Sequence, residues 1–552
     1  MISMIKTYVR IILLTIASGS SINVNDSYDK LRNESEIVHA TPHINNIIKN
    51  GIDELATIKI DELNEIGLNL ENNSIIVITP PLDNTHDTEH FRFHFTTEGN
   101  NAVENLDYVI TMGLIFEQVW DFFMDSLGYT PSFSMNDEFY HIYVENLPSM
   151  YFAYTVRDGN GPSCSSYIKM RNSYSASQFS ENSEEDNIKV TAVHEFFHAI
   201  QFDYNCYALD HGLWFMEATA VWSEDELYDE INDLYRYMPN WFNNPNKSIL
   251  DESFHMYGSF IFFQYIDEHL GGAQTIRSCW ENSKSLSSPI KDVTLEAVDQ
   301  ALESYNSSFE DAYFRMRIAN RILSNEIGAG TYAYDEAEGY SNAVGAWGSL
   351  TGPSEETINF VRNSTLSITK QDMDLYASAY YSLNFIDPIK VELNEIKGKF
   401  HLTSIFKHLE KKKWTIRSGN TLNFDPELGM EWVSLIVSSI DKNEVDWEFS
   451  LKISDGYSED YTSSSPFPNP TYGDRIFLDL QVISSQTINT KIIDLLGREI
   501  WSTSNVFSIP STVRLAWNGI NNKGRRVSNG VYYFFVEGAQ KKFIHKFVYL
   551  KD

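Results

Sequence analysis

Residues 194–198 read His194-Glu195-Phe196-Phe197-His198, and residues 214–222 read Trp214-Phe215-Met216-Glu217-Ala218-Thr219-Ala220-Val221-Trp222. The first stretch acquires its meaning in a helix, where side chains four apart share a face. Val190, Val193, Phe197 and Ile200 recur at helical spacing and predict a helix from about Asn187 to Phe202. His194 and His198 then stand together beside an apolar face, able to bind one metal ion through neutral imidazoles, the HExxH pattern. Zinc suits two imidazoles and a carboxylate, with a fourth position kept for water. Glu195 emerges next to the first ligand, where a carboxylate can take a proton from that water.

Glu217 is the expected third ligand. The 18 residues between His198 and Glu217 allow one helix to end and the chain to reverse. A second helix, around Trp214 to Tyr228, then brings the carboxylate to the metal. Its large apolar neighbours Trp214, Phe215 and Trp222 are not those of a solvated carboxylate. Glu224 lies two helical turns on, shares that face, and is expected to hydrogen-bond a ligand histidine from behind.

Working outward, Phe91 to Phe95 alternates with period two and predicts a strand, as do Tyr140 to Val144, Met150 to Thr155 and Ser165 to Met170. Ala102 to Leu127 is apolar at helical spacing, and Ser259 to Leu270 is a further amphipathic helix stopped by Gly271-Gly272. Strands followed by helices predict an α+β unit. From about residue 356 the pattern turns to strands, including Tyr380 to Phe385 and Trp432 to Val437, which predicts a β-sandwich. A polar Ser/Thr/Pro stretch, Ser458 to Pro470, reads as a linker into a last all-β module.

The two ends and the composition bound the class. Lys6 and Arg10, the apolar run Ile11 to Ala17 and the small residues Ala17-Ser18-Gly19 read as a secretory signal, too short to span a bilayer. The expected organisation is therefore a signal peptide over 1–21, an N-terminal segment or propeptide over 22–85 and a catalytic α+β domain over 86–355. A β-sandwich over 356–455 and a final β-sandwich over 456–552 complete it. A net charge of −34, from 42 basic and 76 acidic side chains, argues against nucleic-acid partners and against docking on an anionic membrane. Acidic surface could attract calcium, but no loop carries the D-x-[DN]-x-[DN]-G spacing, so Ca2+ has no support. Cys164, Cys206 and Cys279 allow one disulfide at most; Cys164–Cys206 is one of the pairings the sequence leaves open.

The spacing from His198 to Glu217 resembles that of gluzincins, a zincin clan that includes thermolysin-like peptidases and the large zinc aminopeptidases. His194–Gln201 followed by Trp214–Asp225 resembles more closely a family of secreted bacterial metallopeptidases, in which a WFxEATAxW-like segment supplies the third ligand. The similarity runs from about residue 90 to 345. It implies a zincin fold, one catalytic zinc on His194, His198 and Glu217, and Glu195 as the base. The aminopeptidases' G-x-M-E-N segment has no counterpart, which tilts the expectation to an endopeptidase of extracellular proteins. In such folds a strand before the zinc helix pairs with the substrate; Ser166, Tyr167 and Ile168 are the residues expected there. Tyr257 and His255 are the candidate donors to a developing oxyanion.

Pro466-Phe467-Pro468-Asn469-Pro470, Ile492 to Ile500, Trp517-Asn518-Gly519 and Gly530-Val531-Tyr532-Tyr533 resemble a type IX secretion sorting domain. That implies export through the outer membrane by the type IX machinery, then release or surface attachment, with no transmembrane segment in the mature chain. The competing reading is a surface adhesin or binding protein on a peptidase scaffold that has lost catalysis, against which an intact Glu195 counts.

Overall fold

The computed structural model describes residues 22–551 except 34–38, 56, 132–137, 149, 325–326, 342–351, 363, 409–412, 425–429, 443, 445, 457–460, 473–474, 483–485, 509–510 and 539–541. The expected signal sequence, residues 1–21, lies outside the described residues. The chain is multidomain, with an N-terminal region of mixed helix and strand and a C-terminal region built only of sheets.

The N-terminal layer comprises α1 (Val24–Leu31), α2 (Thr41–Glu54), the short α3 (Thr57–Asp61) and the hairpin β1 (Leu68–Glu71) and β2 (Ser74–Val77). Pro42 at the first turn of α2 fits a position where its missing N–H is not needed. This layer has no closed core of its own. Ile44, Ile47, Leu63, Ile66 and Leu68 share one apolar cluster with Leu147, Tyr151, Tyr154 and Val156 of the following domain.

That domain starts from a five-stranded mixed sheet of β3 (Asn84–Asp87), β4 (Phe91–Phe95), β5 (Tyr140–Glu145), β6 (Ala153–Asp158) and β7 (Ser165–Arg171). The strand order is β3-β4-β5-β7-β6. Strands β4, β5 and β7 run parallel, whereas β3 and β6 are antiparallel edges. The helix α4 (Leu106–Asp121) bridges β4 and β5, capped by the Asn105 side chain, which accepts from Tyr108 N–H.

Next comes α5 (Glu184–Asn205), 22 residues long, buried on every side from Val190 onward. Ser183 caps it, and Glu184, Glu185 and Asp186 in its first turn complement the positive end of its dipole. At its far end Cys206 is bonded to Cys164, just before β7, and its N–H donates to Pro162 O. Cys279 stays a buried free thiol. The short α6 (Ala208–His211) turns the chain into α7 (Leu213–Leu227), which packs beside α5. Phe215 stacks on Trp280 with ring centres 4.3 Å apart, so the aromatic residues around Glu217 build core.

The all-β region holds two separate two-sheet packings. In the first, strands Glu355–Asn359, Ser378–Asn384, Phe400–His408, Lys413–Ser418 and Met430–Ser439 form one sheet. Thr365–Met373, Ile389–Lys397, Thr421–Phe424 and Trp447–Asp455 form the other, with Tyr381, Val391, Leu435 and Phe449 in a common core. The second has sheets of three and five strands around Trp517, Phe534 and Phe547. The expected linker is corrected here: within it Tyr461–Ser463 is a strand paired to Ile476–Val482, and the buried Tyr461 hydroxyl donates to Val536 O. Hydroxyl-rich composition reads as loop, but a strand edge accepts it where alternate side chains reach the core. No described helix is long and apolar enough to cross a membrane.

Candidate metal centre

Helix α5 places His194 and His198 one turn apart, and α7 brings Glu217 against them from the neighbouring helix. The three side chains are buried, Glu217 completely. The Nε2 atoms of the two histidines are 3.1 Å apart. Glu217 Oε2 lies 3.4 Å from His194 Nε2, and Glu217 Oε1 lies 3.4 Å from His198 Nε2. Zinc–nitrogen and zinc–oxygen bonds of ~2.0–2.2 Å in a tetrahedron put ligand atoms roughly 3.3–3.5 Å apart. The four atoms, at 3.1–3.4 Å across these contacts, therefore stand close to the spacing of a shared metal and beyond that of charge-assisted hydrogen bonds, which close to ~2.7–2.9 Å.

Both Glu217 oxygens are buried without a hydrogen-bond partner, a costly state that a coordinated cation relieves. The group fits a metal by chemistry as well as by distance.

The rings are oriented from behind. His194 Nδ1 is 2.6 Å from Glu224 Oε1, and His198 Nδ1 is 2.8 Å from Gln201 Oε1. Gln201 is fixed in turn, donating to Met216 O and to Thr219 Oγ1, both at 3.1 Å. A carboxylate and an amide oxygen both accept, so each Nδ1 carries a hydrogen and each Nε2 is the nitrogen that faces Glu217. Glu224 thus stands behind a ligand histidine, where the helical face puts it. Gln201 was not foreseen; its position three residues after His198 on the same helix is the signal that could have found it.

Burial opposes charging of His194, but the carboxylates of Glu217 and Glu224 outweigh it and hold the imidazole up to about 10. Burial would raise Glu217, yet the charges of His198 and His194 hold it well below the ordinary carboxylate range. Desolvation pushes Glu224 up to about 7.

Glu195 is buried beside the ligands, and its Oε2 accepts from Thr155 Oγ1 at 2.7 Å and from Thr41 Oγ1 at 2.8 Å. Thr155 belongs to β6 and Thr41 opens α2. His39, just before α2, lies with its ring 4.7 Å from that of His194 and 4.8 Å from that of Tyr257, and it hydrogen-bonds the Tyr237 hydroxyl. The cavity between His39, Phe152, His194, Glu195 and Glu224 has a volume of about 10 Å³, room for one water. His39, Thr41 and Tyr237 carry no local motif and were not foreseen.

Tyr257 is buried and stacked on Tyr237, at 5.3 Å between ring centres. Burial first, and then the charge of Glu217, suppress its ionisation, so its hydroxyl stays protonated.

His255 is corrected. Its ring stacks on Trp241 at 4.7 Å, its Nδ1 is 3.1 Å from Asn240 Oδ1, and burial with the Arg317 charge pushes it down to about 3. It is a neutral core residue: two positions along a helix from Tyr257, it points elsewhere.

The substrate strand is corrected too. Ser166, Tyr167 and Ile168 lie in β7, which is paired with β6 and with β5, while the Tyr140 hydroxyl meets Ser166 Oγ. The β6 side of β7 is paired from Ser165 to Met170 and its β5 side from Ile168 onward, so the outer edge of the sheet next to the site is that of β6. A second acidic group, Asp225, Asp229 and Glu336, gathers carboxylate oxygens within 4.8 Å of one another; no ligand-loop pattern accompanies it.

A family of unknown function, DUF6055, matches residues 105–322, the stretch from the cap of α4 through the helices around the site. No curated protein matches the chain. Among solved structures, PorZ of Porphyromonas gingivalis, an essential bacterial surface component of the type IX secretion system, matches at 22% identity and a TM-score of 0.13. The match covers 18% of this chain and 14% of that one. Latent PorU of the same organism matches at 15% identity over 30% and 19% of the two chains, with a TM-score of 0.17. A Bifidobacterium dentium β-glucuronidase matches at 8% identity over 31% and 38%, with a TM-score of 0.15. This chain thus spans well under half of each, and likenesses of this size carry nothing about activity.

Proposed function

We propose that the chain is an exported zinc peptidase of zincin type, an endopeptidase acting on extracellular proteins. The observation that carries the reading is the pair of histidine Nε2 atoms, 3.1 Å apart and each 3.4 Å from one oxygen of the buried Glu217 carboxylate, with Glu195 next to His194 on the same helix. A zinc ion held by His194, His198 and Glu217 would supply a Lewis acid for the scissile carbonyl and an acidified water. Thr155 fixes the Glu195 carboxylate, which accepts the proton of the attacking water and returns it to the leaving amine nitrogen. The buried Tyr257 phenol donates to the oxyanion as charge develops there.

The C-terminal module, residues 456–552, we read as the export module for the type IX machinery. Its support is the sequence resemblance together with the two-sheet packing around Trp517.

The test is the zinc content of the purified full chain by elemental mass spectrometry, with hydrolysis of unfolded casein followed over hours. One zinc per chain, retained by Glu195→Gln and lost by Glu217→Ala, is expected, and whatever casein cleavage the chain shows is expected to be blocked by chelator and by Glu195→Gln. A folded chain that binds no zinc overturns the reading. A zinc-loaded chain whose cleavage survives Glu195→Gln overturns the role of the base.

A further inference from the structure

The N-terminal layer reaches into the place where a peptide would have to lie. β6 is an edge strand with one partner, β7. Its outer main-chain groups should be open to solvent or to an added strand. They are instead occupied: Thr155 N–H donates to Thr41 Oγ1 at 2.8 Å, Thr155 C=O accepts from Asn45 Nδ2 at 2.8 Å, and Arg157 N–H donates to Asn45 Oδ1 at 3.0 Å. Two side chains one turn apart on α2 thus reproduce the donor–acceptor pattern that a paired main chain would present.

The same segment covers the chemistry. Thr41 Oγ1 donates to Glu195 Oε2, the ring of His39 packs on that of His194, and the space left holds no more than one water. Ile44 and Ile47 anchor α2 against Tyr151, Tyr154 and Val156. Residues 78–83, which tether this layer to β3, have no regular structure and are largely exposed.

We propose that residues 22–77 are an intramolecular occupant of the peptide-binding cleft, which holds the chain latent until they withdraw, and that the outer edge of β6 at Thr155 and Arg157 is the edge on which a substrate main chain pairs. The proposal rests on the peptidase reading. It gives His39, Thr41 and Asn45 one role: His39 shields the ligand histidines, Thr41 engages the base, and Thr41 and Asn45 fill the substrate edge. A mature wall of the active site would leave room for an extended peptide beside β6. A latent one does not.

The experiment compares the full-length wild type, His39→Ala/Thr41→Val/Asn45→Ala, and Thr41→Ser, which keeps the hydroxyl. Each is assayed for zinc content, for binding of a fluorescent peptide hydroxamate by anisotropy, and for casein cleavage. All three are expected to hold one zinc. The triple variant should bind the hydroxamate and cleave casein at least tenfold better than wild type, with Thr41→Ser remaining close to wild type. If the triple variant does not fold, wild type nicked in the exposed 78–83 tether and re-assayed with the hydroxamate should show the same gain.

Zinc-loaded wild type binding the hydroxamate within twofold of the opened form overturns the latency proposal while leaving the peptidase reading standing. Absence of zinc from every folded sample overturns the peptidase reading, and the proposal with it. Opening that gains hydroxamate binding without any casein cleavage keeps the occupant and removes the endopeptidase.

Discussion

At the scale of single residues, the rings of His194 and His198, which could hold a metal with Glu217, are fixed from behind. Glu224 and Gln201 each accept from an Nδ1–H, and losing either lets a ring turn or change tautomer. Glu224→Ala and Gln201→Ala should therefore weaken zinc affinity roughly 10–100-fold, with the fold retained, as competition against a fluorescent chelator would measure. Glu224→Gln should cost less than Glu224→Ala, because an amide oxygen can still accept. Equal losses would show that the charge of Glu224, and not its acceptor, is what matters. Histidines at a four-residue spacing and an acidic residue seven positions after Glu217 were readable from the chain alone, because helical geometry converts those intervals into shared faces. His39, Thr41 and Tyr237 were not, since what brings each to the site is packing between segments far apart in the chain.

At the scale of elements, α5 is pinned at both ends, by its Ser183 cap and by the Cys164–Cys206 bridge to the start of β7. The bridge closes a loop of 42 residues that contains the whole ligand helix. Removing it by Cys164→Ser/Cys206→Ser should destabilise the domain by about 2–4 kcal/mol, mainly by freeing the unfolded chain. Thermal unfolding with and without reductant checks this, and a reductant-insensitive midpoint would refute it. Phe91–Phe95 was legible from its period-two alternation, whereas β6 begins three residues later than the expected Met150 and neither it nor β7 alternates in burial. The order β3-β4-β5-β7-β6 was not legible, and that order decides that β6, not β7, is the edge strand of the sheet. Ser166 to Ile168 and the true edge have similar local patterns; only which neighbour pairs with which separates them.

At the scale of the whole molecule, an acidic chain buries carboxyl groups it must keep neutral. Burial, with neighbouring Glu336 and Asp229, pushes Asp225 up to about 8, and burial pushes Glu252 up to about 8. Because the folded state holds protons that the unfolded state releases near pH 4, these groups cost no stability below that pH. Their cost accumulates as pH rises toward 8 and is complete above it. Asp225→Asn should therefore raise the melting temperature relative to wild type by more at pH 8 than at pH 5, in buffer free of added divalent cations. An equal shift at the two values would place the Asp225 carboxyl outside this titration.

The sequence by itself determined the chemistry that can be assembled: two imidazoles and a base on one helix, a third ligand on the next, an acceptor behind a ligand, and a chain that turns to sheets after residue 355. Those features are local, and helix and strand periodicity carries them. The tertiary structure alone decided that Cys164 finds Cys206, that His255 faces Trp241, that β7 lies inside the sheet, and that Thr41 and Asn45 fill the outer edge of β6. They depend on segments from a hairpin's length to more than a hundred residues apart meeting through burial of shared apolar surface. That meeting is set by the balance over the whole core rather than by any short pattern.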